Sequence, residues 1–231
     1  MGGLEAVEIQ LNDLNKEFRI DAEYFKKDIL NYEKRPLNYK SLEELGTFLI
    51  GPFGSTVTKN NYVEDTNNYY IRGLDIGNFF LKKPEAKIRI NQFDKLKNFH
   101  VKYEDIFITV VGTIGKVSII TNKDIKAIFS CKSTIFRSKI NPYYITAFFN
   151  TKLGYKLLTR GKRGAIQEGL NLTDLKAIKI PIFSNTFQLT IEQLVKLAHK
   201  KGILHHPPKV VDTSSPQNTT DNRTPLPLKV I

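Results

Sequence analysis

Arg160, Lys162, Arg163 and Gln167 put three cations and a planar amide within eight positions, spaced by Gly161 and Gly164. Guanidinium and ammonium groups meet phosphate oxygens, while planar amide and guanidinium side chains pair with base edges. Such donors on a glycine-rich loop are what a reader of duplex DNA requires. The same residues also suit the last turn of a helix, where cations oppose the macrodipole and Gly161 closes the turn. A second group lies upstream, where Ser55, Thr58 and Lys59 follow Gly51 and Gly54, whose missing side chains let backbone approach a ligand. An ordinary hairpin turn has the same composition. Lys82 and Lys83, with Lys87 and Arg89, form a third basic strip that serves equally well as a solvated strand face. Arg72 stands in a strand-like run ending in Asp75, an arrangement that suits a structural ion pair.

Other groupings fall short of a reactive site. In Gly112-Thr113-Ile114-Gly115-Lys116-Val117 the glycines are too close for a phosphate loop, and no Ser or Thr follows the lysine. A tight hairpin is expected there, with Lys116 placed to touch a phosphate. Asn141-Pro142-Tyr143-Tyr144 is similar to the Asn-Pro-Pro-Tyr sequence with which amino-methyltransferases hold a flipped adenine. It lacks the second proline, and no glycine-rich turn after a strand offers a seat for a methyl donor, so it reads as a helix start. His100 and His199 are isolated and His205-His206 falls in a polar tail, so neither a metal nor a cofactor is expected. No Ser-His-acid set or carboxylate pair suggests hydrolysis, and no catalytic residue is assigned.

The whole chain carries 35 Lys and Arg against 23 Asp and Glu over 231 residues, a formal net charge of +12. Polyanions are natural partners of such a surface, although lysines also simply solubilise. A hydrophobic fraction of 41% supplies enough apolar material for a core. Cys131 is the single cysteine, so no intramolecular disulfide forms, which fits a reducing cytosol. Neither an apolar leader core nor a run of about eighteen apolar residues is present, so the expectation is a cytoplasmic protein without membrane contact.

Short strands and a few helices must hold these loops. Val7, Ile9 and Leu11 alternate with polar residues as a strand or extended arm, and Asp21 is a suitable N-cap for a helix bearing Phe25, Ile29 and Tyr32. Ser41 caps a brief turn through Leu45, and residues 46–54 read as a strand broken by Gly51-Pro52-Phe53-Gly54. Runs rich in Ile, Val, Phe and Thr at 69–74, 87–90, 106–111, 117–121 and 133–137 are strands, and their short separations favour antiparallel pairing. Asn141 with Pro142 starts a helix whose face of Ile145, Phe148, Phe149, Leu153 and Leu157 continues to Thr159. A short strand at 178–183 precedes a last helix, 186–200, with Phe187, Ile191, Leu194, Val195 and Ala198 on its apolar side. The stretch from 203 to 231 has too few large apolar residues to offset the entropy of ordering it and is expected to be disordered.

Several segments, in order, resemble the recognition domains of type I restriction-modification specificity (S) subunits. They are Arg19-Ile20-Asp21-Ala22-Glu23-Tyr24-Phe25; Tyr70-Ile71-Arg72-Gly73-Leu74-Asp75-Ile76; residues 105–117 ending in Gly112-Thr113-Ile114-Gly115-Lys116-Val117; Asn141-Pro142-Tyr143-Tyr144; Gly164-Ala165-Ile166-Gln167 with Leu170 and Leu175; and Ile180-Pro181-Ile182 followed by Gln188. The resemblance runs over roughly residues 5–200. It implies an α+β fold: a twisted, mostly antiparallel β-sheet recognition domain with flanking helices and a C-terminal spacer-type helix. Residues 1–40 are then an arm and helix, 41–185 a DNA target recognition domain, 186–202 the spacer-type helix and 203–231 the tail. The implied function is sequence-specific binding of double-stranded DNA, non-catalytic in itself, that directs an adenine methyltransferase (M) subunit and a translocating nuclease (R) subunit. The family carries two such domains in tandem, whereas one is seen here, as in a half-subunit or a truncated frame. The last helix then packs on its own domain, on a second copy to form a homodimer, or on the methyltransferase. Two rivals remain at this point: the recognition part of a fused restriction-methyltransferase, and a basic scaffold for acidic proteins.

Overall fold

Ile106, Phe107 and Ile108 are fully buried in succession, which a strand permits only when both of its faces are covered. The computed structural model, which describes residues 6–11, 14, 20–22, 24–164 and 168–203, shows what covers them. Beyond its first residue the expected tail, with His205 and His206, lies outside the described residues, as does Gln167. In chain order the elements are α1 (Lys27–Glu33), β1 (Tyr39–Ser41), α2 (Leu42–Leu45), β2 (Gly46–Ile50), β3 (Tyr69–Ile71), β4 (Phe79–Phe80), α3 (Ile90–Lys95), β5 (Ile106–Thr109), β6 (Val117–Ile119), β7 (Ala127–Phe129), β8 (Ser133–Ser138), α4 (Pro142–Phe149), α5 (Lys152–Thr159), α6 (Leu172–Ala177), β9 (Lys179–Pro181) and α7 (Asn185–Lys200).

The central sheet has the order β2-β8-β5-β6-β4, antiparallel throughout except for the β6-β4 edge. The register sets Ile106 opposite Phe136 and Phe107 opposite Ile135. Alternation along β5 and β8 then divides the core. Ile106, Ile108 and Phe136 meet Leu42, Leu45, Tyr144, Ile145, Phe149 and Leu158 on the helical side. Phe107 and Ile135 meet Ile71, Val101, Ala127 and Phe129 on the other, where β3 pairs with β7 in parallel. The fold is thus α+β, with a mostly antiparallel sheet between a helical layer and a small second strand layer; β1 and β9 form a separate antiparallel pair beside α2.

Several local expectations shift. Asp21 caps only a turn, its Oδ1 accepting from the Tyr24 backbone N–H at 3.0 Å, and α1 begins at Lys27. No strand forms at 6–11, where Leu11 is exposed. The run at 87–90 makes only isolated bridges, Tyr62 with Ile88 and Tyr69 with Lys87, because Ile90 already opens α3. The helix expected to run from Pro142 to Thr159 is two. Asn150 ends α4 by turning its amide to the Thr146 and Val117 carbonyls, at 2.8 and 3.0 Å, and Thr151 caps α5 through the Gly154 N–H. The corner is tight: a Cβ on Gly154 would sit 2.0 Å from the Phe148 carbonyl oxygen.

Candidate nucleic-acid interface

Strand direction decides which loops share an end of the molecule. The C-terminus of β2, the C-terminus of β5, the N-terminus of β8 and the far end of the parallel β3-β7 pair all point the same way. At that end the backbone of Gly51 lies against Ser130 and Cys131, and Gly54 beside the Cys131 thiol. Gly73 packs near the Lys132 side chain. The Lys132 carbonyl accepts from the Val110 and Val111 N–H groups, at 3.0 and 3.2 Å, and the Val110 carbonyl accepts from Leu170 at 2.9 Å. Arg163 and Gly169 close the stem of the next loop with two backbone bonds, at 3.0 and 2.8 Å. Loops distant in sequence therefore form one surface.

The turn between β5 and β6 is the expected tight hairpin. Thr109 N–H donates to the Lys116 carbonyl at 3.0 Å and Gly115 N–H to the Thr109 carbonyl at 3.2 Å, with φ of +83° at Gly112 and +84° at Gly115. Positive φ is where glycine carries no Cβ penalty. Lys116 is left half-buried at the sheet end. On the neighbouring lobe Ile76 bridges to Leu81, and the Lys82 N–H returns to the Asp75 carbonyl at 2.8 Å, which sets exposed Lys82 and Lys83 beside the Arg72–Asp75 turn. Arg72 itself is occupied by Asp75 at 3.2 Å and Glu85 at 3.5 Å. The Asp75 hydrogen bond pushes the guanidinium pKa up further.

The upstream loop divides. Ser55 stays exposed near Cys131, whereas the chain then runs down the flank and buries Val57. Thr58 spends its hydroxyl and N–H on Asn61 Oδ1, at 3.0 and 2.7 Å, as the cap of a short turn that begins at exposed Lys59. The downstream loop is more heavily committed. Arg160, 12% exposed, donates from Nη1 to Glu33 at 2.5 Å and from Nε to the Tyr24 carbonyl at 2.6 Å, and lies over the Tyr24 ring at 4.0 Å. Its guanidinium faces inward, fastening the segment before α1 to the end of α5. Lys162 pairs with Glu168 at 2.7 Å and Arg163 with Asp174 at 3.1 Å. Each pair has one well-exposed partner, Glu168 at 53% and Arg163 at 41%, and surface pairs of this kind are weak enough to be exchanged for a phosphate.

Among the described residues Lys59, Lys82, Lys83, Lys116 and Lys132 form no ion pair. Lys132 was not legible in the sequence. It is a single lysine in a short turn, and only the parallel pairing of β3 with β7 brings it beside Gly73. The Asn141 segment is structural: its Oδ1 accepts from the Tyr143 and Tyr144 N–H groups at 3.0 and 3.1 Å, its Nδ2 donates to Glu192 at 2.6 Å, and both tyrosines are buried. No group of three or more His, Cys, Asp or Glu able to hold a metal occurs among the described residues, and no described helix is long and apolar enough to cross a membrane.

The last helix is rolled relative to its expected face. Gln188 is buried, accepting from the Asn141 N–H at 3.3 Å and donating to the Phe183 carbonyl at 2.9 Å, and Val195 packs with Tyr143 and Phe80. His199 stacks on Phe80 at 3.8 Å. Phe187 and Leu194, expected on the buried side, are 44% and 56% exposed, because the Gln188 hydrogen bonds turn the helix toward α4.

No protein-family model matches this chain, and no curated protein matches it by sequence. Solved structures do. An S subunit of a type I restriction-modification system from M. genitalium aligns over 73% of this chain and 41% of its own, with a TM-score of 0.52 and 13% identity. The HsdS subunit from Thermoanaerobacter tengcongensis aligns over 73% and 38%, with a TM-score of 0.50 and 12% identity. The type IIG restriction endonuclease BpuSI aligns over 68% and 26%, with a TM-score of 0.53 and 9% identity. The chain thus spans about two fifths of the length of these S subunits. At such identities the likeness is one of fold.

Proposed function

We propose that this chain is a non-catalytic reader of double-stranded DNA sequence, the target recognition component of a type I restriction-modification complex that directs a partner adenine methyltransferase and nuclease. The observation that carries the reading is the convergence, at one end of the sheet, of loops bearing Ser55, Lys116, Lys132, Lys162 and Arg163, with exposed Lys82 and Lys83 on the neighbouring lobe beside the Arg72–Asp75 turn. In this reading residues 41–185 are the recognition domain, 1–40 its arm and helix, and 186–202 a spacer-type helix. The unpaired lysines hold phosphates. Ser55, Arg163 and Gln167 read bases, and Lys59 reaches the flanking backbone. Arg160, held by Glu33 and the Tyr24 carbonyl, fastens the scaffold. The outer stripe of α7, Phe187, Leu194 and Leu197, docks on the methyltransferase or on a second copy, in the cytoplasm.

A fluorescence-anisotropy titration of the full chain with duplex DNA, with and without the methyltransferase, tests this. Each neutralised phosphate contributes about 0.9 to the salt slope, so five lysines give a slope of about −4.5 and an affinity loss of about 500-fold between roughly 50 and 200 mM salt. Absence of salt-dependent affinity in either setting refutes the reading. The likeness to a type IIG endonuclease supports a second one, in which the same domain serves a single-chain restriction enzyme. DNA modification that needs no separate methyltransferase subunit would favour it.

A further inference from the structure

Phe53 is 86% exposed, the highest value among the large hydrophobic residues of the described chain, yet the loop that carries it is firmly seated. Gly51 lies so close to Ser130 and Cys131 that a Cβ there would be 2.8 Å from their backbone, and Pro52 is buried. The Thr56 N–H returns to the Phe53 carbonyl at 2.8 Å, Gln92 Nε2 donates to the Thr56 carbonyl at 2.9 Å, and Val57 is anchored in the core. A rigid base thus holds an aromatic ring in water. Ile50, at the end of β2, and Leu74, in the turn after β3, are also half-exposed, at 53% and 59%, and the Lys132 side chain lies near Gly73 of that turn.

Resting on the DNA-binding reading above, we infer that Phe53 is a wedge that enters a base step of the bound duplex, unstacks it and bends the DNA across the loop-bearing end of the sheet. The chemistry suits a base step better than a protein groove. An aromatic face stacks on any base, and the Lys132 ammonium, which forms no ion pair among the described residues, suits a phosphate beside an opened step. A rigid mount matters because a wedge transmits force only if its base does not give way. Selectivity then comes partly from which steps open cheaply, with pyrimidine-purine steps the softest.

The test uses the full chain, with the methyltransferase where binding needs it, and short duplexes with a randomised centre, retained by the protein and probed with permanganate, which oxidises unstacked thymines. Retained duplexes are expected to show one hyperreactive step, lost in Phe53→Ala and kept in Phe53→Tyr. Phe53→Ala should lower affinity about tenfold, as expected for losing one stacked base, with the salt slope unchanged. Lys132→Ala should lower that slope by about 0.9 and leave the hyperreactive step in place. Salt-dependent retention with no hyperreactive step, or with the same step in Phe53→Ala, overturns the wedge and leaves the DNA-binding reading standing. Failure of the wild-type chain to retain any duplex overturns both.

Discussion

Arg160→Ala separates two roles that the same guanidinium can play. If the side chain is the clamp seen in the structure, its removal costs stability; if it is a phosphate contact, its removal costs affinity. The magnitude follows from its partners. A charged donor on the Tyr24 carbonyl at 2.6 Å is worth about 1.5–3 kcal/mol, and the guanidinium over the Tyr24 ring about 0.5–1 kcal/mol. Glu33 is 37% exposed, so the ion pair adds at most about 1 kcal/mol after solvent screening. Together, and after the cost of ordering a long side chain, the loss is about 3 kcal/mol, or about 6–12 °C in Tm for a chain of this size. Urea unfolding followed by circular dichroism should show a midpoint lowered by about 1 M with an unchanged slope. Glu33→Ala alone should cost at most about 1 kcal/mol, and the double variant should show a coupling of about 0.5–1 kcal/mol. Duplex affinity of folded Arg160→Ala should match the wild type. An Arg160→Ala protein as stable as the wild type, but with a salt slope smaller by about 0.9, would refute the clamp and restore the phosphate contact.

Three further outcomes follow from the same geometry. Cys131, the only cysteine, is half-buried at the loop-bearing end, so saturating duplex DNA should slow its reaction with a thiol reagent, whereas equal rates with and without DNA would place the interface elsewhere. Gly154→Ala should destabilise by about 2 kcal/mol or more, since the new methyl meets the Phe148 backbone rather than a movable side chain; Gly54→Ala, with only the Cys131 thiol at 3.6 Å, should cost far less in the same urea titration. Burial pushes the phenols of Tyr32, Tyr143 and Tyr144 up, the last to about 12. The native state keeps protons that the unfolded chain releases near pH 10, so this stability is intact below about pH 10 and is lost as pH rises toward the folded values, at about 1.4 kcal/mol per unit per tyrosine. Tyrosinate absorbance for these three should rise together with the loss of secondary structure; a separate, earlier rise would contradict their burial.

Long, periodic segments were legible in the sequence because their signal is local. The apolar face of α4 and α5, the Asn141-Pro142 start, the Ser41 cap and the strands β3, β5, β6 and β8 all declare themselves within a few residues. What escaped depends on distant partners. β4 and β7 are two- and three-residue strands that exist because β6 and β3 offer them hydrogen bonds, and both pairings are parallel where local spacing pointed to hairpins. The break at Asn150 needs the Val117 carbonyl of another strand. The candidate interface divides in the same way: basic loops are visible in composition, but Arg160 turning inward to Glu33 and Lys132 joining the surface are products of tertiary contact. The roll of α7 has one cause, a buried Gln188 whose amide satisfies Asn141 and Phe183 where an apolar residue would satisfy neither.

The stems of the converging loops are fastened by main-chain groups: Arg163 to Gly169, Leu170 to Val110, and Val110 and Val111 to Lys132. A peptide N–H or C=O is offered by almost any residue, so these fastenings are indifferent to the side chains borne between them. The tips can accordingly be rewritten in sequence, and even in length, while the platform under them keeps its shape. A body built this way lets its loops vary without renegotiating its core.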